Sequence, residues 1–260
     1  MDLPTFSPED VISFLLVLLR VGTLIMLMPV LGHRLVPGPV KIGLIGLMSL
    51  LLYPIVRTSL PQVPSSPELL IVLATQEILI AAMLAMLAQL IFSAAQFAGQ
   101  IMSYQMGLAI ANVFDPASSA QIAVVGQFAA VLAMLVWVSV GAHNTFLMSL
   151  VDSFYLMPIG HPWHINAWDA LNDAAANMFV LALRMVAPML LLLFFLYVAL
   201  GLLARAVPQI QVFFVSFPLT VALGFLSFAL AIPMIISLMH DSFLGLSWQV
   251  PNLLRALAGS

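Results

Sequence analysis

The amino-acid sequence predicts an all-α, polytopic protein of about six long apolar helices arranged as hairpins. Three observations predict it. Apolar residues make up 63 % of the chain and charged residues 7 %, with a mean hydropathy of +1.17, whereas about a quarter of a soluble domain is charged. The apolar residues fall into runs of roughly bilayer length, separated by turns rich in Pro and Gly. Within this apolar background, polar side chains are spent in register in one stretch, Gln89 to Ser103.

Other classes are bounded by the same composition. Seven Lys and Arg against ten Asp and Glu leave a net charge of −3, which argues against a nucleic-acid surface. There is no cysteine, hence no disulfide framework, thiolate metal site or cysteine nucleophile. The sixteen methionines are scattered among Leu and Ala, as flexible packing rather than a metal relay.

Taken in order, Ser7 is an expected helix cap with Pro8 in the first turn, and Val11 to Val30 is an apolar span interrupted by Arg20. The start carries Asp2, Glu9 and Asp10 and no basic residue, unlike a signal peptide, so this first helix is expected to be retained. Pro29, Gly32, Pro37, Gly38 and Pro39 break the chain around Arg34 and Lys41. A short second span, Ile42 to Val56, leads to the proline-rich link 57–67. From Glu68 no breaker appears until about Gly107, enough helix for about 60 Å, twice the hydrocarbon thickness.

Asp115-Pro116 forms a turn, after which a fourth span reaches about Leu150. The turn-rich connection 151–175, a span from Ala174 to Leu203 with Arg184 and Pro188, the loop 204–211 and a last span from Val212 to about Met239 complete the pattern, followed by a mildly amphipathic tail. The basic residues Arg34, Lys41 and Arg205 fall on one side and most acids on the other. With the N-terminus outside, this orients the loops 31–41, 107–120 and 202–211 toward the cytoplasm.

Gln89, Ser93, Gln96, Gln100 and Ser103 recur at steps of four and three and share one helix face. Ala95, Gly99, Ser103, Gly107 and Ala111 recur every four residues, a spacing that lets helix backbones approach closely. Two readings stand: a helix lining a polar interior, or a polar seam between ordinary membrane helices, which the residues alone favour.

Arg20, Glu77 and Arg184 are the charges placed within spans, and pairing of Glu77 with Arg20 or Arg184 is expected, with a proton relay as the alternative. His161 and His164 have a spacing that could join a metal site, but Pro162 and the lack of a carboxylate cluster make them surface histidines; no metal or cofactor is expected. No HExxH, Walker A or GxSxG pattern occurs, so no catalytic residues are assigned. The loop holding Arg205, Pro208, Gln209 and Gln211 is either a plain turn or a cytoplasmic docking point.

Taken together, and in this order and spacing, GQIMSYQMG (99–107), VFDPASS (113–119), GAHN (141–144), DSFYLMPIG (152–160) and ARAVPQIQVFFVSFPL (204–219) resemble the FliR family. These are export-gate subunits of the bacterial flagellar type III secretion system, with counterparts in virulence injectisomes. The resemblance covers essentially the whole chain. It implies a non-enzymatic subunit of a helical export-gate assembly, one FliR joined to several copies of FliP and FliQ, passing unfolded flagellar proteins.

It further implies a FliP-like portion, residues 1–175, and a FliQ-like hairpin with tail, 176–260. It implies a seat in the bacterial inner membrane within the flagellar basal body, displaced toward the periplasm, with lipid a secondary neighbour. On the family pattern the loop about 106–119 lies in the central passage. Met102, Met106, Asn112, Val113, Phe114 and Asp115 form its pore or plug, Phe114 being the chief obstruction, and the methionines supply a seal that repacks. The docking loop would meet FlhB, with FlhA nearby. A secondary transporter with a Glu77/Arg184 site is the alternative, although no convincing inverted repeat is found. An intramembrane hydrolase lacks a nucleophile with a base.

Overall fold

The computed structural model describes residues 8–34, 36–57, 66–108, 124–162, 167–207, 209 and 211–259. Helices occupy nearly all of them, and no strand occurs among the described residues. They are α1 (Pro8–Leu27), α2 (Gly38–Val56), α3 (Pro67–Gln105), α4 (Val124–Val140), α5 (Ala142–Leu156), α6 (Ala167–Ala206) and α7 (Val212–Ala258). Five of these are long and apolar enough to cross a membrane, or six if α4 and α5 count as one span. The fold is all-α, as the composition and run lengths predict. The expected Ser7 cap lies outside the described residues.

Three expectations about the helices are corrected. The fourth span is two helices, bent by 66° at Gly141. Gly141 has φ +71°, a left-handed conformation that costs an L side chain about 1–2 kcal/mol and glycine almost nothing. The last helix runs 47 residues to Ala258, well past Met239. Met239, Phe243, Leu246, Val250, Leu253 and Leu257 are all buried at heptad spacing, so one packed face carries the helix through Gly245 and Pro251 into what the sequence marks as a tail. Helix α6 likewise starts earlier than expected, at Ala167, and passes 175 and 176 without a break.

The chain falls into two compact units, 1–90 with 141–174 and 244–260, and 91–140 with 175–243. In the first, α1 and α2 form an antiparallel hairpin. Asp10 accepts from Tyr53 Oη at 3.0 Å and pairs with Arg57 at 2.8 Å at one end, and Lys41 Nζ donates to the Gly32 carbonyl at 2.7 Å at the other. The first turns of α3 run parallel to α1, with Glu77 against Arg20 and Gln89 Nε2 donating to the Leu27 carbonyl at 2.8 Å.

In the second unit four segments pack up and down. Phe97 meets Phe179 and Tyr197 Oη donates to the Gln105 carbonyl at 3.1 Å, so α3 and α6 run the same way. Phe92 meets Trp137 while Gly99 meets Gly126, so α4 opposes α3. Phe128 on Phe228 and Trp137 on Phe243 set α7 parallel to α4. Phe92, Trp137 and Phe243 form a buried aromatic knot with ring centroids 5.2–5.7 Å apart, the spacing at which tilted and edge-on rings attract.

Candidate functional site

Helix α3 carries the candidate site because its two faces differ in kind. Gln89, Ser93, Gln96 and Gln100 are exposed, while Ala88, Ala95, Ala98 and Met102 behind them are buried. Ser103, the fifth member of the row, turns inward and donates its hydroxyl to the Gly99 carbonyl at 2.9 Å, so its polar group is satisfied within the helix. Four of the five stripe residues therefore present amide and hydroxyl groups outward on an apolar helix.

The row of small residues has its partner on α4. Gly99 lies against Gly126 of α4 so closely that a Cβ on Gly99 would sit 2.5 Å from Gly126 Cα, while Ala95 is fully buried one turn earlier. A lone glycine in an apolar run carries no periodic signal, so Gly126 could be found only by the crossing itself.

Helix α3 ends where its last turn is clamped. Met106 is buried, its side chain seated in the notch left by Gly224 of α7, where a Cβ would lie 2.5 Å from Met106 Cγ. Thr220 Oγ1 approaches the Met106 carbonyl at 3.5 Å, and Gly107, at φ +79°, turns the chain out of the helix. Met102 is buried one turn back. Both methionines thus pack within their own unit and show no free face. Ala111, Asn112, Val113, Phe114 and Asp115 lie outside the described residues. Beyond them, Val125 and Gly126 are again buried, and an apolar groove of about 430 Å³ lined by Val124, Phe128, Phe225, Phe228 and Ile232 opens beside the α4 start.

Of the three charges in spans, two are brought together. Arg20 and Glu77 are fully buried and make a forked pair, Nε to Oε2 at 2.5 Å and Nη2 to Oε1 at 3.0 Å. The remaining donors of Arg20 reach the carbonyls of Ser153 at 2.8 Å and Met157 at 2.9 Å, and its guanidinium stacks 4.3 Å from the Phe154 ring centroid. One side chain therefore neutralises the acid of α3 and caps the carbonyl end of α5, using the fixed fork that lysine lacks. Arg184 does not join them. It is exposed on α6 and has no ion pair among the described residues. A solute site built from Glu77 and Arg184 has no support here, because the Glu77 carboxylate is already occupied.

In the loop 204–211, Arg205 closes α6 as its last basic residue and is exposed, as are Gln209 and Gln211; Pro208 lies outside the described residues. His161 accepts at its carbonyl from Gln76 Nε2 at 2.6 Å, and His164 is not described. No group of three or more metal-ligating side chains occurs among the described residues.

Comparison with known proteins decides the family. The family model described as bacterial export proteins, family 1, matches residues 11–246. The chain belongs to this family. It is 38 % identical over 221 residues to the flagellar biosynthetic protein FliR of Escherichia coli strain K12, covering 84 % of this chain and 83 % of that protein. With FliR of Bacillus subtilis strain 168 it shares 32 % identity over 254 residues, 95 % of this chain and 96 % of the relative. FliR of Aquifex aeolicus strain VF5 is 26 % identical over 239 residues, 91 % and 92 %.

As a FliR-family member with five or six long apolar helices, it is an inner-membrane protein of the flagellar export apparatus. The family match spans Arg20, Glu77, the α3 stripe and the Met106–Gly224 seat.

Proposed function

We propose that the chain is a non-catalytic subunit of the flagellar export gate, joined to FliP and FliQ homologues around a conduit for unfolded flagellar proteins, with α3 contributing part of its polar wall. The single observation that carries this reading is the stripe of Gln89, Ser93, Gln96 and Gln100, exposed in register on a helix that is sealed beside the stripe by Gly99 on Gly126. Neutral amides and hydroxyls hydrate a passage without holding a moving chain by charge, which suits substrates of varied sequence.

In this reading residues 106–119 obstruct the conduit. Phe114 is the main apolar obstacle, with Asn112, Val113 and Asp115 beside it, and Met102 and Met106 act as the anchor. The Met106 seat on Gly224 and the Gly126 contact hold the two feet of that segment. Residues 1–175 stand as a FliP-like portion and 176–260 as a FliQ-like hairpin. Arg205, Pro208, Gln209 and Gln211 face FlhB, with FlhA near, and the whole sits in the basal body toward the periplasm.

The test is a chain lacking residues 110–119, expressed with its FliP and FliQ homologues. The complex should still co-purify while cells become leaky to small ions. An intact complex with unchanged tightness would remove the obstructing role.

A further inference from the structure

Exposed charge brackets one apolar length of α6. The first turns of the helix present Asp169, Asn172, Asp173 and Asn177 outward, groups that call for water. From Phe179 the exposed side chains turn apolar, and after Arg184 no charged residue occurs until Arg205. Both arginines are exposed, and neither has an ion pair among the described residues. Tyr197, the one polar side chain between them, donates its hydroxyl to the Gln105 carbonyl at 3.1 Å, so its polar group is satisfied within the chain.

The length of the interval decides what kind of neighbour fits. The 21 residues from Arg184 to Arg205 rise about 32 Å, close to a hydrocarbon core of about 30 Å. Helix α7, running the opposite way, repeats it: from Phe214 to Ile236, about 33 Å, it carries no charge, and His240 and Asp241 follow, both exposed. Pro188 marks the Arg184 level a second time, because proline has no N–H to give the Arg184 carbonyl. A cation and a carbonyl short of its donor belong together at a polar interface, since hydrocarbon answers neither. The long stem of Arg184 lets its guanidinium reach phosphates from about a turn inside, which leaves Phe179, Val180 and Leu183 in the interface. A protein neighbour would require no interval of this length.

We infer that the exposed face of α6 lies against lipid from Arg184 to Arg205, and that the two arginines hold phosphate groups of anionic phospholipids in opposite leaflets. The planar guanidinium fork matches two oxygens of one phosphate, a geometry that fixes the helix end as well as answering its charge. The inference stands apart from the export-gate reading. It fixes the depth of one helix and the lipid chemistry at its two ends, and it needs only that the chain sits in a membrane.

The test uses the full chain with its co-purifying export components in vesicles of phosphatidylcholine and phosphatidylglycerol. The chain has no cysteine, so single cysteines at Asn177, Ala187, Phe194 and Gly201, all exposed, can each carry a nitroxide label. Collisions with oxygen, relative to those with a water-soluble nickel chelate, should peak at Phe194, fall toward Ala187 and Gly201, and be lowest at Asn177. In native mass spectra of the same preparation, Arg184→Leu and Arg205→Leu should each lose bound phosphatidylglycerol, and Arg184→Lys should keep most of it.

Labels at Ala187, Phe194 and Gly201 that are immobilised and shielded from oxygen and nickel alike would place protein on this face and overturn the inference. A Phe194 label open to nickel would place water there and overturn it too, as would unchanged phosphatidylglycerol retention in both leucine variants. Because the altered positions are exposed, the amount of protein in the membrane should match the wild type, which separates a lost signal from a lost fold. None of these outcomes bears on co-purification with other export components, which tests the export-gate reading by itself.

Discussion

At Arg20 a single side chain satisfies three helices, and the arithmetic of buried charge says what its removal does. Both members of the Arg20–Glu77 pair are fully buried, so deleting one leaves the other without water or counter-ion, a cost of about 3–5 kcal/mol. Arg20→Leu should therefore lower the unfolding temperature of the purified complex sharply, and Glu77→Gln should do so to a lesser degree, since a neutral amide still accepts. The double change Arg20→Met with Glu77→Leu should recover much of the Glu77 share but not the capping of Ser153 and Met157, which Arg20 also supplies. Thermal melts of the three variants check the order, and a double variant no better than Arg20→Leu alone would contradict the pairing energetics. That three charges lay within spans was legible from the sequence. Which arginine answers Glu77 was not, because partner choice depends on how helices distant in sequence are set side by side.

At the scale of the element, the crossing of α3 and α4 is asymmetric in a way that mutation can read. A Cβ on Gly99 would meet Gly126 Cα at 2.5 Å, backbone that cannot swing aside, while a Cβ on Gly126 would meet the Gln96 carbonyl oxygen at 3.4 Å, close to ordinary contact. Gly99→Ala should thus force the helices apart and cost about 1–3 kcal/mol, the usual range for overpacking. Gly126→Ala should be near neutral or mildly stabilising, because alanine favours the helix. Folded yield and melting temperature of the two variants should separate clearly. The row containing Gly99 was visible as a four-residue period, and the α3 stripe as a heptad, because both repeat within one helix. The bend at Gly141 was not visible: a glycine in an apolar run is as compatible with a straight helix, and only its left-handed φ of +71° shows the break.

At the scale of the whole molecule, the lengths of α3, α6 and α7, at 39, 40 and 47 residues, correspond to about 60–70 Å each, against a hydrocarbon core of about 30 Å. Much of α6 and α7 is apolar and exposed along that length, Phe195 and Leu230 at 66 % and 74 % among them. The chain made alone should accordingly aggregate or melt early in detergent. Co-expression with other export components should raise both yield and melting temperature, since partners that bind only the folded form add their binding free energy to its stability. Equal stability with and without them would argue for a self-sufficient bundle. The sequence by itself determined the all-α class, the approximate number of apolar spans and the family, because composition, periodicity and motif order are properties of the chain read locally. Only the tertiary structure decided that Arg20 rather than Arg184 holds Glu77, that Gly126 and Gly224 are the seats for Gly99 and Met106, and that α7 continues to Ala258. Each of these is a choice between contacts that local sequence leaves equally open, and only packing in three dimensions separates them.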